Sequence, residues 1–227
     1  LSKQQLGITW GVTGNRFYNN RGDGSFADVT DITGTRSGGW GWGACFADFN
    51  NDGWLDLFHV NGYESSLNNQ SPFPFRNDPS RLFINDHQGG FRERAVELGI
   101  ADNKQGRGLV CFDYDRDGDV DIFVANNEQA PLLYENRGLH QHWLQVKVGG
   151  EQQNSEAIGA RVYLTVNGVT QLRELNAGSN FMSQNPVIAH FGIGKAVSVD
   201  EVRVVWPSGA TRTLTGVGVD QVLLIEK

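Results

Sequence analysis

Asp113-Tyr-Asp-Arg-Asp-Gly-Asp-Val-Asp121, followed at once by Ile122-Phe-Val124, is the stretch from which the fold is read. Carboxylates stand at positions one, three, five and nine of this run: Asp113, Asp115, Asp117 and Asp121. Gly118 follows position five, where the backbone must turn sharply and a Cβ would obstruct it. Carboxylates this close repel one another strongly unless a cation lies between them. Oxygen ligands on a flexible loop suit Ca2+, which takes about six to eight of them, better than Zn2+ or a softer metal. The seventh position, Asp119, would offer its backbone carbonyl and turn its carboxylate outward. The alternative is a solvated acidic turn that holds no metal.

The run has a twin. Asp48-Phe-Asn-Asn-Asp-Gly-Trp-Leu-Asp56 repeats the pattern, with Asp48, Asn50, Asp52 and Asp56 at the ligand positions and Trp54 at the carbonyl position. The first ligands, Asp48 and Asp113, lie 65 residues apart, and so do Arg16-Phe-Tyr-Asn-Asn20 and Arg81-Leu-Phe-Ile-Asn85. Two landmarks with one offset define an internal repeat. An EF-hand is excluded, because its loop needs a Glu at position twelve and helical flanks. That position holds His59 in one copy and Val124 in the other, and the flanks favour strands. Each run therefore reads as a calcium loop closing a β-hairpin.

On these residues the chain resembles the FG-GAP/VCBS repeats, in which DxDxDGxxD joins two strands of a propeller blade. The resemblance implies two Ca2+ sites, at Asp48, Asn50, Asp52, Trp54 and Asp56, and at Asp113, Asp115, Asp117, Asp119 and Asp121. Arg16 to Asn20, the Gly22-Asp-Gly24 turn and Phe26-Ala-Asp-Val-Thr30 resemble another part of the same repeat. Arg21-Gly22-Asp23 then reads as a repeat turn that happens to follow an arginine, rather than as an integrin-type ligand.

Length and composition point the same way. A chain of 227 residues can bury a substantial core. Its 29 glycines and 11% aromatic content favour an all-β protein with many turns. A net charge of −7 argues against nucleic-acid binding, because no basic stripe offsets phosphate. Cys45 and Cys111 are expected to be buried free thiols on opposite strand faces. No apolar run is long enough to span a membrane. The chain opens at Leu1 rather than Met, which reads as a mature or excised segment.

Residues 1–15 form a lead-in, in which Leu6-Gly-Ile8 echoes Leu98-Gly-Ile100. Repeat units then run over about 16–80 and 81–138. Gly38-Gly-Trp-Gly-Trp-Gly43 suits close backbone contact beside large rings, with sugar stacking as the alternative. Residues 61–80 have no counterpart in the second unit and are either a binding insertion or a tolerated one. About two blades cannot close a propeller, so the chain is either a piece of a longer one or covered by neighbouring subunits.

From residue 139 the pattern changes. Trp143–Val148, Arg161–Val166, Val169–Glu174, Val187–Phe191, Val202–Trp206, Thr211–Leu214 and Gln221–Ile225 read as strands of a small β-sandwich or barrel. Asn167-Gly168 reads as a type I′ hairpin turn. This part resembles the ASPIC/UnbV domain, on Ala157-Ile-Gly-Ala-Arg-Val162, Ala177-Gly178 with Ser183-Gln184, His190-Phe-Gly-Ile-Gly194 and Val204-Val-Trp-Pro-Ser-Gly209. The two resemblances identify the chain as a member of the cartilage acidic protein-like family, whose known setting is extracellular or at the cell surface.

No catalytic motif stands out. His140 and His142 would share a strand face without an acidic or Cys partner in the motif, and no nucleophile elbow, phosphate loop or HExxH is present. The sequon Asn69-Gln70-Ser71 is followed by Pro72 and is weak. The expected protein is all-β, with about two partial propeller-type blades over 1–138 and a β-sandwich or barrel over 139–227. It is expected to be secreted, calcium-braced and non-enzymatic, with an extracellular protein or further copies of itself as partner. The alternatives are a self-assembling extracellular polymer, completed by strand or blade sharing, and a glycan-binding or polysaccharide-acting protein.

Overall fold

In the computed structural model, residues 14–63, 75 and 77–227 are described. The lead-in echo at Leu6–Ile8, the sequon and most of the 61–80 insertion lie outside them. The described chain is nearly all β, as expected: sixteen strands and a single helical turn.

Six strands, in a pair and a four-stranded sheet, make up the first repeat unit and the start of the second. β1 (Tyr18–Asn20) and β2 (Phe26–Asp28) form an antiparallel pair, with Tyr18 opposite Asp28. α1 (Thr30–Thr33) follows and ends at Gly34, whose positive φ suits a helix terminus. β3 (Gly41–Ala47) and β4 (Asp56–Asn61) then join β5 (Arg81–Asn85) and β6 (Phe91–Glu93) in a sheet of order β3-β4-β5-β6. β7 (Gly106–Phe112), β8 (Asp121–Asn126) and β9 (Leu132–Tyr134) form a second sheet in that order. The bounds of β6, β7 and β8 lie 65 residues beyond those of β2, β3 and β4, so the repeat holds strand by strand.

The chain divides into two compact units. The first comprises residues up to Cys45, Asp56–Leu109 and Val124–Leu132. Its core is built on Phe58, Val60, Phe83, Leu109 and Val124, all at most 1% exposed. β4 is buried along its whole length, so its polar members need partners. Asn61 Nδ2 donates to the carbonyls of Gly38 and Pro79, and its Oδ1 lies 3.0 Å from His59 Nδ1. The Trp-rich run is packed here too. Trp40 meets Tyr63 and Phe75, while Trp42 donates to the Gly62 carbonyl and carries the Arg107 guanidinium 4.3 Å above its ring. Both rings are partly buried and have partners within the first unit.

The second unit comprises Phe46–Leu55, Val110–Phe123 and Leu133–Lys227. Its seven C-terminal strands make a two-sheet sandwich. β10 (His142–Val148) is the centre of a three-stranded sheet. β11 (Arg161–Val166), β12 (Val169–Glu174), β14 (Ser198–Val205) and β15 (Thr211–Gly218) form the other, in the order β12-β11-β14-β15. β13 (Ala189–Gly194) and β16 (Gln221–Ile225) flank β10, antiparallel and parallel respectively. Leu144, Val146, Phe191 and Ile225 from one sheet and Val162, Leu164, Val202 and Val204 from the other share one core. Asn167 and Gly168 both have positive φ, as a type I′ turn requires. Both cysteines are buried and neither forms a disulfide.

Candidate metal centre

Each acidic run lies where a hairpin turns: Asp48 follows β3 and Asp56 opens β4, while Asp113 follows β7 and Asp121 opens β8. Neither is flanked by a helix, which confirms that they are not EF-hands. In the second loop the carboxylates of Asp113, Asp115 and Asp117 converge, with one oxygen of each within 4.8 Å of the others. Loop amides hold them in place. Arg116 N and Gly118 N donate to the two oxygens of Asp113 at 2.7 and 3.2 Å, and Asp119 N donates to Asp117 at 2.9 Å. Burial pushes the Asp113 carboxyl above its usual range, and the neighbouring Asp117 charge adds to it. A hard divalent cation would relieve that repulsion, and this donor set suits one.

Asp121 is held by one amide from within the run and one from beyond it. It is fully buried, accepts Tyr114 N and Asn136 N on its two oxygens, and burial raises its carboxyl to about 6. Asp119 departs from expectation. Its carboxylate is turned inward, where Oδ1 accepts Asn51 Nδ2 at 2.8 Å. The reason is local: the first loop offers a buried amide there, and a buried donor must be paired.

The first loop is tighter. Asp48 is 1% exposed and accepts Asp52 N at 3.0 Å and Gly53 N at 2.8 Å. Asn50 Nδ2 donates to Asp52 Oδ2, and Trp54 N to Asp52 Oδ1. Burial, with the Asp52 charge second, raises the Asp48 carboxyl to about 6. Asp56, in the first unit, is buried and accepts Asn85 N at 2.8 Å. Trp54, placed by the sequence at the carbonyl position, has a half-exposed side chain.

Asn51 is the residue that motif reading missed. It has φ of +56° and is 1% exposed. Its side chain donates to Gly118 O and Asp119 Oδ1 and lies 2.8 Å from His190 Nε2, while its carbonyl accepts Gly194 N. The available signal was Asn at a position demanding left-handed backbone, which Asn tolerates well. The histidine pair does not form a shared site: His142 Nδ1 pairs with Asp220 Oδ2 at 2.7 Å, and His140 is exposed.

Residues 8–59 match the model of the FG-GAP-like repeat, and residues 150–227 that of ASPIC and UnbV. The chain is an FG-GAP repeat protein with a C-terminal ASPIC/UnbV domain. Among curated proteins it is similar to cartilage acidic protein 1 of Xenopus tropicalis, at 27% identity over 86% of this chain and 38% of that protein. It is similar also to cartilage acidic protein 1 of Homo sapiens, at 34% over 72% and 24%, and of Mus musculus, at 33% over 72% and 25%. It thus spans less than half the length of these relatives.

The ASPIC/UnbV motif residues now acquire a physical role. His190-Phe-Gly-Ile-Gly194 forms β13, and Gly192 lies flat against the first loop: a Cβ there would sit 2.2 Å from Asp48 Oδ2. Arg173 on β12 donates to His190 O, and its charge acts on Asp48. Burial, aided by Arg173, drives the His190 imidazole down to about 3, so it is neutral. The FG-GAP loop and the ASPIC/UnbV motif are therefore parts of one packed unit.

Proposed function

We propose that this chain is a secreted or cell-surface calcium-binding protein of the interaction type, in which Ca2+ braces the two hairpin loops. The reading is carried by the convergence of Asp113, Asp115 and Asp117 within 4.8 Å on a loop whose twin recurs 65 residues earlier. Asp48, Asn50 and Asp52 with the Trp54 carbonyl, and Asp113, Asp115 and Asp117 with the Asp119 carbonyl, would hold the ions; Asp56 and Asp121 close each set. When bound, calcium supplies the positive charge that the clustered carboxylates lack. The chain's own part is to fix each carboxylate with loop amides so that its free lone pairs face one another.

The extracellular setting is supported by the relatives, whose name places them in cartilage. No helix among the described residues is long and apolar enough to cross a membrane. The partner is an extracellular protein or a further copy of this chain. Isothermal titration of the chelator-stripped chain tests the reading. Two ions per chain, with affinities in the range of extracellular modules (~10⁻⁴–10⁻³ M), are expected. No heat with millimolar calcium would defeat it.

A further inference from the structure

We infer that the ASPIC/UnbV domain sets the calcium affinity of the second loop through Gln145, a positioning residue outside the loop motif. The inference rests on the calcium reading above. Gln145 lies on β10, is 7% exposed, and donates Nε2 to Asp113 Oδ2 at 2.8 Å. Asp113 is thereby held from two directions: by the loop amides of Arg116 and Gly118, and by an amide from a strand of the sandwich. With its oxygens pinned in this way, the carboxylate is oriented before any ion arrives.

A further contact makes β10 the wall of this loop. Trp143, two residues before Gln145 and so on the same face of the strand, lies against Gly118: a Cβ on Gly118 would sit 1.8 Å from the indole Nε1. Gln145 is also neutral. A lysine or arginine in its place would orient Asp113 equally well but would cancel the charge that attracts the cation. A glutamine supplies direction alone, which is what a group behind a metal ligand needs.

The test is calcium titration of the full chain carrying Gln145→Leu, read beside its urea unfolding without calcium. The wild type is expected to bind two ions. In the variant one site weakens about tenfold or more, as loss of an orienting partner typically does, while the other keeps its affinity and the calcium-free midpoint stays near wild type. Gln145→Asn, which withdraws the amide by one methylene and keeps a polar side chain, is expected to weaken the same single site and guards against misfolding of the leucine variant. Two sites of unchanged affinity in a folded variant overturn the inference while leaving the calcium reading intact. A wild-type chain that takes up no calcium overturns both.

Discussion

Asn51 Nδ2 donates to Asp119 Oδ1 at 2.8 Å, so the turn of one acidic loop is hydrogen-bonded to the turn of its own repeat. The two positions are not equivalent in the repeat. Asn51 corresponds to Arg116, which shares its positive φ but is exposed. The same backbone shape thus serves as a buried joint in one copy and a solvent-facing turn in the other.

Replacing Asn51 should accordingly cost stability. Asn51→Gly keeps the left-handed backbone but strands Gly118 O, Asp119 and His190, and should cost about 1–3 kcal/mol. Asn51→Ala adds backbone strain and should cost roughly a further 1 kcal/mol. Urea unfolding of the two variants gives the order. Equal midpoints for both and wild type would show that the joint carries no weight.

The two turn glycines should differ in tolerance. Both have positive φ, at +93° for Gly53 and +92° for Gly118. A Cβ at Gly53 would meet Gln171 Nε2 at 3.3 Å, the far end of a flexible side chain, whereas one at Gly118 would strike the Trp143 ring. Gly118→Ala should therefore destabilise by about 1–3 kcal/mol more than Gly53→Ala, through overpacking. Thermal melts of both variants decide it.

Chelation should lower the melting temperature. With free calcium at tenfold over its dissociation constant, each occupied site stabilises the fold by roughly 1.4 kcal/mol. Differential scanning calorimetry with calcium and with EDTA reads the shift, and coincident transitions would contradict the braced-hairpin picture.

Calcium binding should weaken as the solution is acidified. Burial raises Asp48 and Asp121 to about 6 from 3.8, so they take up protons from near pH 7 downward rather than near pH 4. A protonated carboxyl competes with the ion, so affinity at pH 5.5 should fall below that at pH 7.5. Titrations at the two pH values check this.

Acid should also unfold the first unit through His59. Burial holds its imidazole down to about 4 from 6.5. The unfolded chain takes up the proton near pH 6.5 and the folded chain does not until about pH 4. The contribution is whole above pH 6.5 and is lost as the pH falls to 4. Asp48 and Asp121, raised in the folded chain, act in the opposite sense without calcium, so the variant must be compared with wild type at each pH. His59→Gln should show a flatter loss of stability below pH 6.5.

Much of this architecture was legible in the residues. The 65-residue offset located both loops and the strands around them, and Asn167-Gly168 fixed the β11–β12 hairpin to its register. Strand ends were less legible. β14 begins at Ser198 rather than Val202, and β15 runs on to Gly218, because pairing between the two continues through Glu201 with Thr215, Val199 with Val217 and Ser198 with Gly218, where a lone valine on each strand is set among polar residues and glycines. The partners of Asn51 and the wall formed by β10 were not legible. They depend on which surfaces the fold brings together, and neither hydrophobic period nor motif spacing encodes that for a lone amide.

The parallel pairing of β16 with β10, Leu144 opposite Gln221, sets an order of events during synthesis. The strand that reaches the second acidic loop stays an unfinished edge until some eighty residues later, when its neighbour leaves the ribosome; pairings so distant along the chain form slowly. A nascent chain stalled before residue 221 would leave that edge bare, and so would be a ready target for chaperones.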